Sequence, residues 1–224
     1  MITLYHRPKT RSARFIFLLE ELEAPYTIRL VTIRSRDGTG SVDPANPHPH
    51  GKVPAISDDG TVVFESSAIA LYLTDKYPKN HIGPLIGDAQ RGAYLSWLAY
   101  YGDVLEPAFV SKFMNVEVPR GMAGWVAVEE AMPVVLQRLA SGPYLLGEQF
   151  SALDVLYGTT FALFAQSPLL PKSPLIEEYV KRIVARPAYA RAAARDKRLG
   201  PGESEVCGGV ISLAAARATA RSHR

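Results

Sequence analysis

The chain has 224 residues, a formal net charge of +3 at pH 7 and a single cysteine, Cys207. So small and dispersed a charge argues against a nucleic-acid binder, and one cysteine excludes an internal disulfide framework or a CxxC redox pair. With 47% apolar and 21% charged residues the composition is that of a globular protein, long enough for one large domain or two modest ones.

The opening segment MITLYHRPKT has no basic region leading into a long apolar stretch, so no signal peptide is expected and the cytoplasm is the expected location. Ile2 to His6 reads as a short strand. From Ser12 the residues Phe15, Ile16, Leu18, Leu19 and Leu22 recur at helical spacing. Tyr26 to Ile33, rich in β-branched residues, predicts the next strand, and Asp37 to His50 an irregular link. Val53 to Phe64 predicts two strands turning at Asp59-Gly60, and Ser67 to Tyr77 a helix stopped by Pro78. This β-α-β, then β-β-α order predicts a mixed sheet of parallel and antiparallel strands with helices on its faces.

After the turn-rich stretch Tyr77 to Gly87 the strand signals end. Helices are expected at about Asp88–Val118, Arg120–Ala140, Ala152–Gln166, Pro174–Ala185 and Ala188–Lys197. The change of pattern places a domain boundary near residues 78–88, with one domain over 1–79, an all-helical one over 88–199, and a tail over 200–224. The uncharged run Val155 to Pro171 contains Gly158, Gln166 and Pro168 and reads as a buried helix rather than a membrane span. Its start, FSALDVL, has Ser151 as N-cap, Asp154 as reciprocal partner, and Phe150 and Val155 as a hydrophobic staple: a folding device, not a catalytic pair. The tail, poor in large apolar residues, is expected to fray, and Cys207 within it to be dispensable.

Four stretches, Leu4–Leu22, Asn46–Ile56, Phe64–Leu73 and Gly142–Gly158, resemble in order and spacing the cytosolic glutathione transferases, in particular bacterial members with a serine/threonine-type active-site turn. The resemblance covers roughly residues 1–197. It implies a thioredoxin-like α/β domain with a mixed four-stranded sheet, followed by an all-helical domain. It also implies glutathione as co-substrate, a homodimer contacting through the stretch around Phe64 and the first long helix, and no metal, nucleic acid or membrane partner.

The resemblance implies a cis Val53–Pro54 bond whose preceding backbone pairs with the cysteinyl unit of glutathione, and Glu65 and Ser66 at the γ-glutamyl end. A strand-to-helix junction suits a carboxylate, because free amides and the positive end of the helix meet there. Lys52 is placed to pair with the glycine carboxylate, and His50 to donate to the peptide. His48 and His50 lack a third ligand at sensible spacing, so no metal is expected.

The reaction needs a thiolate, since a cysteine-like thiol has a pKa near 8.5. A hydroxyl at a helix start among cations favours that anion. In RPKTRSARF the candidates are Thr10 first and Ser12 second, with Lys9 and Arg11 as electrostatic helpers. Counting back five from Arg14, a spacing seen in serine- and cysteine-type members, lands on Lys9 rather than a hydroxyl, and either hydroxyl could instead cap the helix. Tyr5, on the strand, comes too early for a tyrosine-type site. It is grouped with Tyr100, Tyr101, Phe109, Phe113 and Met114 as the wall for a small, fairly apolar electrophile, though aromatic residues at helical spacing also serve as core. Conjugation of glutathione is the leading reading. The alternatives are a low-turnover binding module and peroxidase or disulfide chemistry without a protein cysteine.

Overall fold

The protein is described by a computed structural model covering residues 1–35 and 37–200 together with the backbone of Val210–Ser212. Cys207 and nearly all of the tail lie outside the described residues. Two compact units are present: Met1–Leu73 with the chain from Pro187, and Thr74–Arg186.

The first unit contains β1 (Ile2–His6), α1 (Ala13–Glu21), β2 (Tyr26–Leu30), β3 (Ala55–Asp58), β4 (Thr61–Phe64) and the start of α2 (Ser66–Lys76). The strands align as β4-β3-β1-β2, with β1 parallel to β2 and antiparallel to β3, and β3 antiparallel to β4. This is the mixed four-stranded sheet expected. Val210–Ser212 adds a further antiparallel strand beside β2 that the sequence did not suggest.

Alternation along β1 buries Ile2, Leu4 and His6 on one face. An imidazole thus occupies a position where the strand pattern calls for an apolar side chain. The apolar face of α1, Phe15 to Leu19, is buried as its periodicity predicts.

The last helix, α8 in chain order (Pro187–Arg198), was expected within the helical domain but groups with the sheet. It packs on α1 through the edge-to-face pair Phe17–Tyr189 at 5.5 Å. Arg191 bonds Glu20 at 2.8 Å, and the Arg195 guanidinium lies 4.9 Å from the Tyr26 ring centre. α8 is composed largely of alanines and arginines, whose role cannot be read from a helical pattern alone.

The second unit is helical: α3 (Arg91–Tyr100), α4 (Glu106–Met114), α5 (Val128–Leu139), α6 (Ala152–Phe164) and α7 (Pro174–Val184). The single helix expected over 88–118 is interrupted by a π-turn at Tyr101–Leu105, where the Glu106 amide reaches back to the Tyr101 carbonyl. Pro107 supplies the cause, since it has no N–H to bond the carbonyl four residues earlier. Asn115 then ends α4 in the left-handed region at φ 53°, and α5 begins eight residues later than expected, at Val128 after Pro119 and two glycines.

α6 is buried nearly all round, and its capping box is present. Asp154 there accepts from the Ser151 amide at 2.8 Å and hydroxyl at 3.1 Å, the Leu145 amide at 2.9 Å and the Tyr179 hydroxyl at 2.8 Å. No helix among the described residues is long and apolar enough to cross a membrane.

Candidate functional site

The turn from β1 to α1 is built from its backbone outward. The Arg7 guanidinium donates to the Ile33 carbonyl at 2.9 Å and the Ser35 hydroxyl at 3.3 Å, tying the turn to the chain beyond β2. Lys9 adopts a left-handed φ of 59°, a conformation that a side chain with a Cβ disfavours. Its amide is held by both carboxylate oxygens of Asp196, at 3.2 and 3.3 Å, so α8 clamps the strained residue. The side chains of Lys9 and Arg11 are exposed.

The two hydroxyls behave differently. Ser12 is fully buried and lies 2.8 Å from His6 Nδ1 and 2.7 Å from the Thr10 hydroxyl. Thr10 is half-buried and donates to the Arg7 carbonyl at 2.7 Å. A ligand at the turn can therefore meet Thr10, whereas Ser12 stands behind it. His6 Nε2 lies 3.1 Å from Asp196 Oδ1, but off the line that would make a directed hydrogen bond. Neither His6 nor Asp196 figured in the sequence reading. A histidine on the buried face of β1 was the available signal for the first; nothing local announces an aspartate 187 residues from its partner Lys9.

A second cluster surrounds the turn before β3. The Val53–Pro54 peptide is cis. Lys52 and His50 are exposed, and the Lys52 carbonyl accepts from the Asn46 amide at 3.0 Å. His48, set aside in the sequence reading, organises this loop: its Nδ1 accepts the His50 amide at 3.1 Å, its own amide donates to Asn46 at 3.1 Å, and its ring lies 5.3 Å from that of Phe64. Its Nε2 is 3.8 Å from Glu65. Burial holds the His48 imidazole below its ordinary pKa, against the attraction of Glu65, so the neutral ring is favoured.

Glu65 takes a φ of 69° at the entry to α2, its carbonyl accepting the Ile69 amide at 2.9 Å and its side chain 73% exposed. Ser66 opens the helix. The junction thus presents an exposed carboxylate beside the amides of a helix start.

The aromatic candidates divide by burial. Tyr101 is buried between Glu106 and Thr160, and Phe109 is buried with its ring 5.2 Å from that of Phe164. Both are core side chains of the helical unit, as helical spacing of aromatics commonly produces. Tyr100, half-buried, donates to the Ala131 carbonyl at 3.2 Å; Phe113 and Met114 are exposed, and Tyr5 is half-buried on β1.

The sequence pattern described as the glutathione S-transferase N-terminal domain matches residues 11–76. Over 214 residues the chain is 28% identical to glutathione S-transferase 3 of Schizosaccharomyces pombe, covering 86% of this chain and 87% of that protein. Over 208 residues it is 26% identical to the disulfide-bond oxidoreductase YfcG of Escherichia coli, covering 86% and 94%. A sphingomonad glutathione S-transferase, solved in complex with glutathione, superposes with a TM-score of 0.69 at 25% identity, over 87% of this chain and 98% of that one.

Proposed function

We propose that this chain, which belongs to the cytosolic glutathione transferase family, binds glutathione in its sheet-containing unit and joins its thiolate to small, fairly apolar electrophiles. The observation carrying this reading is the Thr10 hydroxyl: half-buried at the head of α1, with the buried Ser12 hydroxyl bonded behind it. A hydroxyl donor at the positive end of α1 stabilises an anion there, and each unit of pKa lowering takes about 1.4 kcal/mol. The likeness to a transferase solved with glutathione supports the choice of thiol.

In this reading the Val53 backbone beside Pro54 pairs with the cysteinyl unit, Glu65 faces the ligand ammonium, Ser66 and the α2 amides take the γ-glutamyl carboxylate, and Lys52 with His50 holds the glycine end. Lys9 and Arg11 add positive potential near the sulfur.

Calorimetry should show saturable binding of glutathione, and Glu65→Gln should weaken it roughly ten- to a hundredfold by removing a charge-assisted contact of about 1.5–3 kcal/mol. Absence of binding by the unaltered protein would sink the reading. The likeness to a disulfide-bond oxidoreductase supports a second reading, reduction of glutathione-mixed disulfides without a protein cysteine. Assay of the products separates them: a thioether from conjugation, oxidised glutathione from reduction.

A homodimer is also proposed, supported by the exposed Val62 and Phe64 side chains on β4. The expected solution mass is two chains at micromolar concentration; a mass of one chain would count against it.

A further inference from the structure

The turn contains more than an oxyanion-type donor. Behind Thr10 runs a chain of polar groups: Thr10 Oγ1 to Ser12 Oγ at 2.7 Å, Ser12 Oγ to His6 Nδ1 at 2.8 Å, and His6 Nε2 to Asp196 Oδ1 at 3.1 Å. Ser12 and His6 are completely buried, and Asp196 is partly buried, its side chain 15% exposed. Packing alone does not call for this. The Asp196 carboxylate, close to Nε2 though not in line for a directed hydrogen bond, favours the proton on that nitrogen by its charge, which leaves Nδ1 as an acceptor for the Ser12 hydroxyl.

We infer that His6, backed by Asp196, receives through Ser12 and Thr10 the proton that the glutathione thiol loses on binding. This rests on the proposal that glutathione binds at the turn. The sulfur–hydrogen bond breaks and its proton joins Thr10 Oγ1. The Thr10 hydroxyl turns from its resting acceptor, the Arg7 carbonyl, so that its proton passes to Ser12 Oγ, and the Ser12 proton passes to His6 Nδ1. One proton has moved from sulfur to imidazole, leaving a thiolate that accepts from Thr10 and an imidazolium facing the Asp196 carboxylate. After the thioether leaves, the proton returns along the same chain to water at Thr10.

Two features fit this step. Both oxygen–oxygen and oxygen–nitrogen separations are those of formed hydrogen bonds, which proton transfer requires. A buried imidazolium is costly unless it is paired, and the carboxylate lies on its far nitrogen. Asp196 also holds the Lys9 amide, so one side chain from α8 both shapes the turn and faces the imidazole. His6 and Asp196 are thus positioning residues, acting through the hydroxyl that meets the sulfur.

The test is a proton count on the full-length protein with glutathione as the probe. Binding heats measured in buffers of different ionisation enthalpy give protons released, and ultraviolet absorbance gives thiolate formed. The unaltered protein is expected to form thiolate while releasing well under one proton per thiolate, because the imidazole keeps it. His6→Asn retains an acceptor for Ser12 but holds no proton. It should release about one proton for each thiolate formed and show a kcat lowered roughly tenfold at neutral pH, with the glutathione KM changed less than about twofold. Asp196→Asn, which keeps an acceptor for the Lys9 amide, should shift both readouts the same way. If His6→Asn fails to fold, the proton count of the unaltered protein and Asp196→Asn decide.

Release of one proton per thiolate by the unaltered protein, or an unchanged kcat in both variants, overturns the inference while glutathione binding stands. Absence of glutathione binding or of thiolate removes the reading beneath it, and this inference with it.

Discussion

Thr10→Val is expected to lower kcat at neutral pH by roughly ten- to a hundredfold while leaving glutathione affinity nearly unchanged. Valine matches threonine in shape and removes only the hydroxyl, and a hydrogen bond to a charged group is worth about 1.5–3 kcal/mol. That corresponds to a rise of about one to two units in the pKa of the bound thiol, read from thiolate absorbance against pH, with activity partly restored in alkaline buffer. Affinity is expected to survive because the groups assigned to the peptide, from Lys52 to Ser66, lie outside the turn. Ser12→Ala should lower kcat as well, because the fully buried Ser12 links Thr10 to His6. It should also lower the melting temperature, since the Thr10 hydroxyl and His6 Nδ1 then each lose a partner. If both variants keep full activity and unchanged absorbance, the hydroxyl role is wrong. The amides at the start of α1 with Lys9 and Arg11 would then carry the activation, and Lys9→Met would show it.

Asp154→Ala should destabilise the protein by about 3–5 kcal/mol, a large part of the 5–15 kcal/mol typical of a folded domain. The carboxylate is fully buried and accepts four hydrogen bonds, from the Ser151 amide and hydroxyl, the Leu145 amide and the Tyr179 hydroxyl. Truncation leaves these donors without an acceptor and uncaps α6, the helix at the centre of its unit. Denaturant titration followed by circular dichroism measures the loss; a change under 1 kcal/mol would show that water or a shifted neighbour replaces the carboxylate.

Asp154 also carries a pH signature. Burial pushes its pKa up to about 6, with the four donors opposing. An acid whose folded pKa lies above its unfolded value binds protons more tightly when folded. Its contribution to stability is therefore greatest below about pH 4, falls as pH rises toward 6, and is level above that. The expected span is about 3 kcal/mol, seen as the difference in pH dependence between the unaltered protein and Asp154→Asn. A difference curve that is flat between pH 4 and 6 would show that the donors hold the carboxylate charged.

Local physics determined much of this protein from its residues alone. The strands β1 to β4 and the helix of Phe15 to Leu19 follow from alternation and helical period, and the α6 cap from the Ser151/Asp154 spacing, because each depends on neighbours within a few positions. The turn hydroxyls and the Glu65-Ser66 junction were legible for the same reason: both sit where a strand pattern gives way to a helical one. Tertiary structure decided the rest. It placed α8 on α1 rather than among the other helices, buried Tyr101 and Phe109 inside the helical unit, and sorted the two hydroxyls into one that is half-buried and one that is sealed. It also brought Asp196 to the far side of His6, 190 positions away in sequence, closing the polar chain that starts at Thr10. No sequence window spans that distance. Periodicity reports which face of an element is apolar; which distant side chain meets that face depends on how the elements dock.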